Sequence, residues 1–239
     1  MLNTLKPLVH SLGQQYCEKI CASEYESQQR KINERTVEFR FVFEQLTRWN
    51  PEAVLDVGTG TTALPHLMRN CGFLVTAIDN IQDYWPEGMF NRHYHVVNDD
   101  ITKTQLQRRF DLITCISVLE HIPAHQLAVR NMIKLLNPGG HLVMTFPYNE
   151  STYYQDVFKL PGAPHIFKDL PYVCQVYCRQ NINEWLADSD SQLVTQEYWQ
   201  CYTGELWTFG DFVLPFREVK QDEKHQLTCI VIEKGTGKG

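Results

Sequence analysis

Val54-Leu55-Asp56-Val57-Gly58-Thr59-Gly60-Thr61-Thr62-Ala63-Leu64-Pro65-His66-Leu67-Met68 is the stretch around which the rest of the 239-residue chain is organised. A short apolar run ends in an acid, passes two glycines one residue apart, and continues into a segment able to start a helix at Thr61 or Thr62. The implied order is strand, glycine turn, helix. Gly58 and Gly60 let the backbone turn sharply and approach a ligand with no Cβ in the way, and the first N–H groups of a following helix face the same space. A nucleotide-like ligand suits such a turn.

Charge decides which nucleotide. Gly58-Thr59-Gly60-Thr61-Thr62-Ala63 fits the loose dinucleotide pattern, and Asp79 follows Gly58 by 21 positions, as a ribose-binding acid would. Asp56 argues against a dinucleotide, because a carboxylate at the mouth of the turn repels a pyrophosphate, and no lysine follows the glycines as a P-loop requires. It suits a ligand with positive charge. S-adenosylmethionine carries an ammonium and a sulfonium, and a charge-assisted hydrogen bond is worth about 1.5–3 kcal/mol. With Asp56-x-Gly58-x-Gly60 the chain resembles the class I S-adenosylmethionine-dependent methyltransferases, whose first motif is D/E-x-G-x-G-x-G. Thr62 stands where that family usually has its third glycine.

The length allows one large α/β domain with additions, or two small domains. Hydrophobic residues make up 43% and charged residues 21%, and the formal charge is 22 − 28 = −6 with no basic block, which weighs against general nucleic-acid binding. The first residues lack the apolar run of a signal peptide and no stretch is long and apolar enough for a membrane span, so a cytoplasmic location is expected. The eight cysteines are scattered and read as free thiols. Cys17-x3-Cys21 and Cys174-x3-Cys178 have a spacing that stacks two side chains on a helix face, unlike a zinc knuckle, and no metal site is expected. Oligomeric state is not legible.

Residues 1–50 read as an amphipathic helical cap, with Leu5, Leu8, Val9 and Leu12 in one run and Val37, Phe41 and Leu46 in a second, Thr36 to Trp49. Arg35, Glu38 and Arg40 either hold a charged group of a substrate or form a solvated helix face. Residues 51–150 alternate strands and helices and form the cofactor-binding half. Strands are predicted over 54–57, 73–78, 94–97, 110–116 and 141–146, with a helix over 124–136 closed by Asn137-Pro138-Gly139-Gly140. Between the second and third strands, Pro86 and Gly88 make a loop more apt than a crossover helix, and Tyr84 and Trp85 either wall a pocket or pack on the sheet.

The resemblance assigns residues to the cofactor. Asp56, Gly58 and Gly60 form the first motif. Asp79, with Asn80, would accept the ribose hydroxyls, although an acid there also caps turns. After the third strand, Asp100 would receive the adenine amino group and Ile101 its ring nitrogen, with Asp99 as the rival. Ser117-Val118-Leu119-Glu120-His121-Ile122 resembles a segment that follows strand four in the family, where a doubly wound sheet faces its ligand. Ser117 is assigned to the cofactor site. His121 is the candidate general base, against a purely structural role. Small-RNA and ubiquinone-pathway O-methyltransferases resemble this stretch but carry a glutamate at the place of Ser117, completing a metal-ligand set that lacks one carboxylate here.

Residues 151–177 interrupt the pattern with aromatics and prolines and read as a lid or an irregular excursion. Tyr148, Tyr153 and His165 are the acceptor-site candidates. Residues 178–235 add a helix from Asn181, a sixth strand over 193–202, a second aromatic insertion over 203–224 and a seventh strand over 227–233. The fold expected is therefore a single α/β domain with a Rossmann-like, seven-stranded, mostly parallel sheet of order 3-2-1-4-5-7-6 and an N-terminal helical cap. The expected activity is methyl transfer from S-adenosylmethionine to an O or N atom of a small-molecule acceptor. Two other readings share the motifs: a catalytically silent methyltransferase-like subunit and a nicotinamide oxidoreductase.

Overall fold

The computed structural model describes residues 7, 9–16, 19, 32–60, 62–80, 96–187 and 189–237. The chain divides into two compact units, Met1–Asn33 and Glu34–Gly239. In the first, residues 9–16 are helical and exposed. The second helix of the stretch expected as a cap, α1 (Arg35–Trp49), belongs to the second unit. The loop expected over 81–90, with Tyr84 and Trp85, lies outside the described residues, as do Cys17 and Cys21.

The second unit is built on one sheet. Its strands are β1 (Ala53–Val57), β2 (Leu74–Asp79), β3 (Val96–Asn98), β4 (Phe110–Ile116), β5 (Leu136–Pro147), β6 (Ser191–Tyr202), β7 (Phe212–Val219) and β8 (Leu227–Lys234), in the order β3-β2-β1-β4-β5-β8-β6-β7. The pairs from β3 to β5 are parallel and those involving β6, β7 and β8 antiparallel. Among the described residues the sheet has eight strands where seven were expected. The expected order holds up to β6; the additional strand, β7, comes from the second aromatic insertion and pairs with β6 at the edge. Pro215 has no N–H to give a ladder, which suits an edge strand.

Side-chain alternation along the strands divides the core. Leu55, Val57 and Ile113 pack on one face with Ala128, Val129 and Met132 of α3 (His125–Leu135) and Ile182 and Trp185 of α4 (Arg179–Ala187). Val54, Leu112 and Val143 pack on the other with Val37, Phe41, Val42 and Leu46 of α1. Strands covered on both faces read as near-continuous apolar runs, which is why Phe110–Ile116 is so hydrophobic.

Two local features differ from the expected boundaries. The helix after the glycine turn, α2 (Leu64–Asn70), begins later than Thr61 or Thr62, because both the N–H and the hydroxyl of Thr62 bond back to the Thr59 carbonyl and hold a separate turn. Pro65 fits in its first turn, where no N–H is needed. Asn137-Pro138-Gly139-Gly140 does not precede β5 but sits inside it as a register shift, with Phe110 opposite Leu136 and Leu112 opposite His141. Gly139 is left-handed (φ +74) and Asn137 Nδ2 donates to Asp111 Oδ1 (2.7 Å), which accommodates the extra residues.

Candidate active site

The turns after β1 and β4 meet at the carboxyl end of the sheet. Gly58 is left-handed (φ +73) and its N–H donates to the Ile78 carbonyl (2.9 Å). A Cβ at that position would stand 2.3 Å from Val118 Cγ1, so the two turns approach closely only because residue 58 has no side chain. Gly60 N–H donates to Asp79 Oδ2 (2.7 Å), tying the glycine turn to the end of β2.

A cavity of about 270 Å³ opens beside this junction, and Gly58, Asp79, Asn80, Asp100, Ile101, Val118 and His121 are among its walls. Asp79 is nearly buried. Asp100 caps the 3-10 turn Ile101–Lys103, accepting from the N–H (2.9 Å) and hydroxyl (2.7 Å) of Thr102. Partial burial opposes its ionisation, but those hydrogen bonds and Lys103 hold its carboxyl below the usual carboxylate range. Asp99, also on the cavity wall, accepts from the Gln105 N–H and the Thr104 hydroxyl.

Gly58 also borders a smaller cavity of about 10 Å³, lined with it by Arg35, Phe39, Asp56, Thr59 and Thr62 among others. Asp56 is not at an open mouth of the turn; it is buried in β1, where its Oδ1 accepts from the Thr114 hydroxyl (2.6 Å). Burial pushes its carboxyl up to about 6 despite hydrogen bonds from Thr114 and Thr59.

Beyond β4 stands a polar cluster that joins three elements. Ser117 is left-handed (φ +49), and its N–H donates to the carbonyl (3.0 Å) and hydroxyl (3.1 Å) of Thr145. Its hydroxyl is not on the wall of either cavity and donates to Glu38 Oε1 of α1, as does that of Thr145 (2.7 Å). Arg35 Nη1 pairs with Glu38 Oε2 (2.7 Å) and reaches the Ile116 carbonyl (3.3 Å). Glu120, in the 3-10 turn Leu119–His121, is buried with Oε2 unpartnered. Burial pushes its carboxyl up to about 8, reinforced by Glu38 and Glu34 and opposed by its own backbone N–H and Arg35. His121 donates its Nδ1–H to the Val173 carbonyl (2.7 Å), so that in the neutral ring the proton-free nitrogen is Nε2, 4.0 Å from Glu120 Oε1. Burial pushes its pKa down, and Arg35 adds to that. Among the described residues no group of three or more His, Cys, Asp or Glu side chains is arranged to hold a metal ion.

Residues 151–177 are fastened over this turn. Gln175 donates from Nε2 to the carbonyls of Ile122 (2.9 Å) and Glu120 (3.2 Å), and Tyr177 from its hydroxyl to that of Leu119 (2.8 Å). Isolated bridges pair Tyr148 with Tyr177 and Tyr154 with Val176. The acceptor candidates Tyr148, Tyr153 and His165 line neither of these two cavities. Tyr148 is fully buried and donates to Glu150 (2.8 Å), Tyr153 is partly exposed and donates to Gln175 (2.7 Å), and His165 is exposed in the turn His165–Phe167. Cys174 precedes α4 in irregular backbone, so it shares no helix face with Cys178; both are buried free thiols.

A family model of the methyltransferase domain matches residues 25–196. The chain belongs to the class I S-adenosylmethionine-dependent methyltransferases. This methyltransferase is 30% identical over 170 residues to a ubiquinone biosynthesis O-methyltransferase of Coxiella burnetii, a match spanning 66% of this chain and 70% of the relative. It is 31% identical over 126 residues to the Pseudomonas fluorescens protein of the same description, covering 49% and 53%. Among solved structures, its fold is similar to an S-adenosylmethionine-dependent methyltransferase of Clostridium acetobutylicum (TM-score 0.55, 15% identity, 92% of this chain and 99% of that one). It is also similar in fold to the magnesium protoporphyrin IX methyltransferase of Synechocystis, solved with bound S-adenosylhomocysteine (TM-score 0.53, 13% identity, 94% and 99%).

S-Adenosylmethionine is the cofactor, and the donor set of the methyltransferase fits it. Asp79 and Asp100 put carboxylates on the wall of the larger cavity, the chemistry that hydroxyl and amino donors need, while Asp56 and Arg35 border the smaller one. A Cβ at position 58 would fill the junction between the two. Arg35 and Glu38, which the sequence reads more readily as a solvated helix face, are the residues whose contacts with Ile116, Ser117 and Thr145 only the fold reveals.

Proposed function

We propose that the methyltransferase transfers its methyl group to an O or N atom of a small-molecule acceptor, with His121 taking the proton when that atom is a protonated hydroxyl. When bound, S-adenosylmethionine supplies an electrophilic methyl on a sulfonium that needs no covalent help from the protein. The observation that carries the reading is the setting of His121. It borders the larger cavity, gives its Nδ1–H to Val173 and turns a neutral Nε2 toward Glu120. A ring so fixed can accept a proton at Nε2, and the carboxyl of Glu120 beside it would ionise more readily against the imidazolium formed.

On this reading Asp79 and Asn80 hold the ribose, Asp100 and Ile101 meet the adenine, and Gly58 and Gly60 let the chain pass close. Asp56 and Arg35 face the amino-acid end. The clamped segment over residues 151–177 keeps water from the reacting atoms, which favours discharge of the sulfonium. The O-methyltransferase description of the curated relatives supports an oxygen acceptor first.

A transfer assay with radiolabelled S-adenosylmethionine tests the proposal, run against a panel of phenols, aliphatic alcohols and amines. Label appearing in one class, and lost in Asp79→Ala, is the expected result. Label transferred only to protein or RNA would overturn it.

A further inference from the structure

We propose that Glu38 is a positioning residue for the cofactor pocket: its carboxylate, reaching from α1 to the tips of β4 and β5, holds the Ser117 turn in place and couples the docking of α1 to cofactor binding. The inference rests on the cofactor assignment and not on which acceptor is methylated.

Glu38 stands on the buried stripe of α1, with Val37, Phe41 and Val42, and is fully buried itself. An apolar side chain is the ordinary occupant of such a place, since a buried ion pair commonly contributes no more stability than a well-packed hydrophobe. Its partners account for the acid. Ser117 and Thr145 give it their hydroxyls and Arg35 its guanidinium, so both carboxylate oxygens are occupied. Each of these contacts lies at or next to the carboxyl end of the sheet, where a doubly wound fold binds ligands.

The consequence runs along β4. Ser117 holds a left-handed backbone that a residue with a side chain rarely adopts, and the bonds it donates to Glu38 and Thr145 fix it there. The next residue is Val118, the one that occupies the space above Gly58, and the turn then leads to His121 and Ile122 on the cavity wall. Arg35 and Phe39, from the same turns of α1 as Glu38, border the smaller cavity beside Gly58. Glu38 itself borders neither cavity. It therefore acts through Ser117. A ligand that needs Val118 and Arg35 in place favours docked α1, and by linkage docked α1 favours the ligand to the same degree.

Calorimetric titration with S-adenosylhomocysteine of the wild type, Glu38→Gln, Ser117→Ala and the double variant tests this, together with hydrogen exchange of the α1 amides with and without that ligand. Each single substitution is expected to weaken binding between about 5- and 150-fold, the usual range of coupling between linked sites. The double variant is expected to be no weaker than the weaker single one, because both remove the same link. The ligand should slow exchange across residues 37–42 in the wild type and not in Glu38→Gln. Ser117→Ala keeps the Arg35–Glu38 pair and serves as the probe if Glu38→Gln does not fold. Unchanged affinity in the variants, additive losses, or equal protection of α1 in wild type and variant would overturn the coupling. A wild type that does not bind S-adenosylhomocysteine would instead overturn the cofactor assignment.

Discussion

Val118 occupies the space that a side chain on Gly58 would need. A Cβ built on Gly58 lies 2.3 Å from Cγ1 and 2.6 Å from Cγ2 of Val118. The turns after the two central parallel strands are thereby in direct contact, and the larger cavity is bounded where they touch.

Gly58→Ala should accordingly lose cofactor binding. The left-handed backbone costs a residue with a side chain ~1–2 kcal/mol and overpacking against Val118 a further ~1–3 kcal/mol. Titration with S-adenosylhomocysteine and a melting curve measure both losses. Adding Val118→Ala should restore part of the loss, since it relieves the clash but not the φ of +73°. No rescue would mean that the approach of the two turns is not what requires glycine.

Glu120 predicts an unusual pH dependence of stability. Its carboxyl is raised from 4.5 to about 8 by burial, so below pH 4.5 it is protonated whether the chain is folded or not. Above that the unfolded chain ionises while the folded one keeps the proton, and this group lowers stability by ~1.4 kcal/mol per pH unit until about pH 8. Asp56, raised to about 6, acts with the same sign over a lower window. Glu120→Gln should melt several degrees above the wild type at pH 8 and level with it near pH 4.5. Parallel melting curves across that range would show that Glu120 ionises freely in the folded protein.

The fold was legible where the determining residues are close in sequence. Asp56-x-Gly58-x-Gly60, the acid at the end of β2 and the apolar runs of β1, β4 and β8 need only local spacing to be read. The edge strand Phe212–Val219 was not legible, because it buries little and Pro215 mimics a loop signal. Asn137-Pro138-Gly139-Gly140 carries the composition of a turn, yet pairing with β4 absorbs it as a register shift. The Glu38–Ser117 contact spans 79 residues, so no local pattern predicts it. Its one sequence signal is an acid on the apolar stripe of α1, next to Val37 and four residues before Val42.

His121 should leave its mark on the rate. Burial places its pKa below the ordinary value, so it is already neutral at pH 7 and can take a proton there. With a hydroxyl acceptor, kcat should rise with pH through a value below 6.5 and then stay level, and His121→Gln should remove the rising limb and lower kcat by roughly 10²–10⁴-fold. The pH profile of kcat in both proteins checks this. A rising limb near pH 8, retained in His121→Gln, would move the proton to Glu120 instead.

The most direct measurement is calorimetric titration of the protein with S-adenosylmethionine and S-adenosylhomocysteine, with NAD as the control and Asp79→Ala beside it. Asp79 borders the larger cavity and receives the Gly60 N–H, and loss of a charge-assisted hydrogen bond is worth about 1.5–3 kcal/mol, or roughly 10- to 150-fold in affinity. Micromolar binding of either adenosyl compound, weakened by that factor in Asp79→Ala, with no binding of NAD, is the predicted result. No binding of the adenosyl compounds, equal binding in the variant, or a preference for NAD would contradict the account.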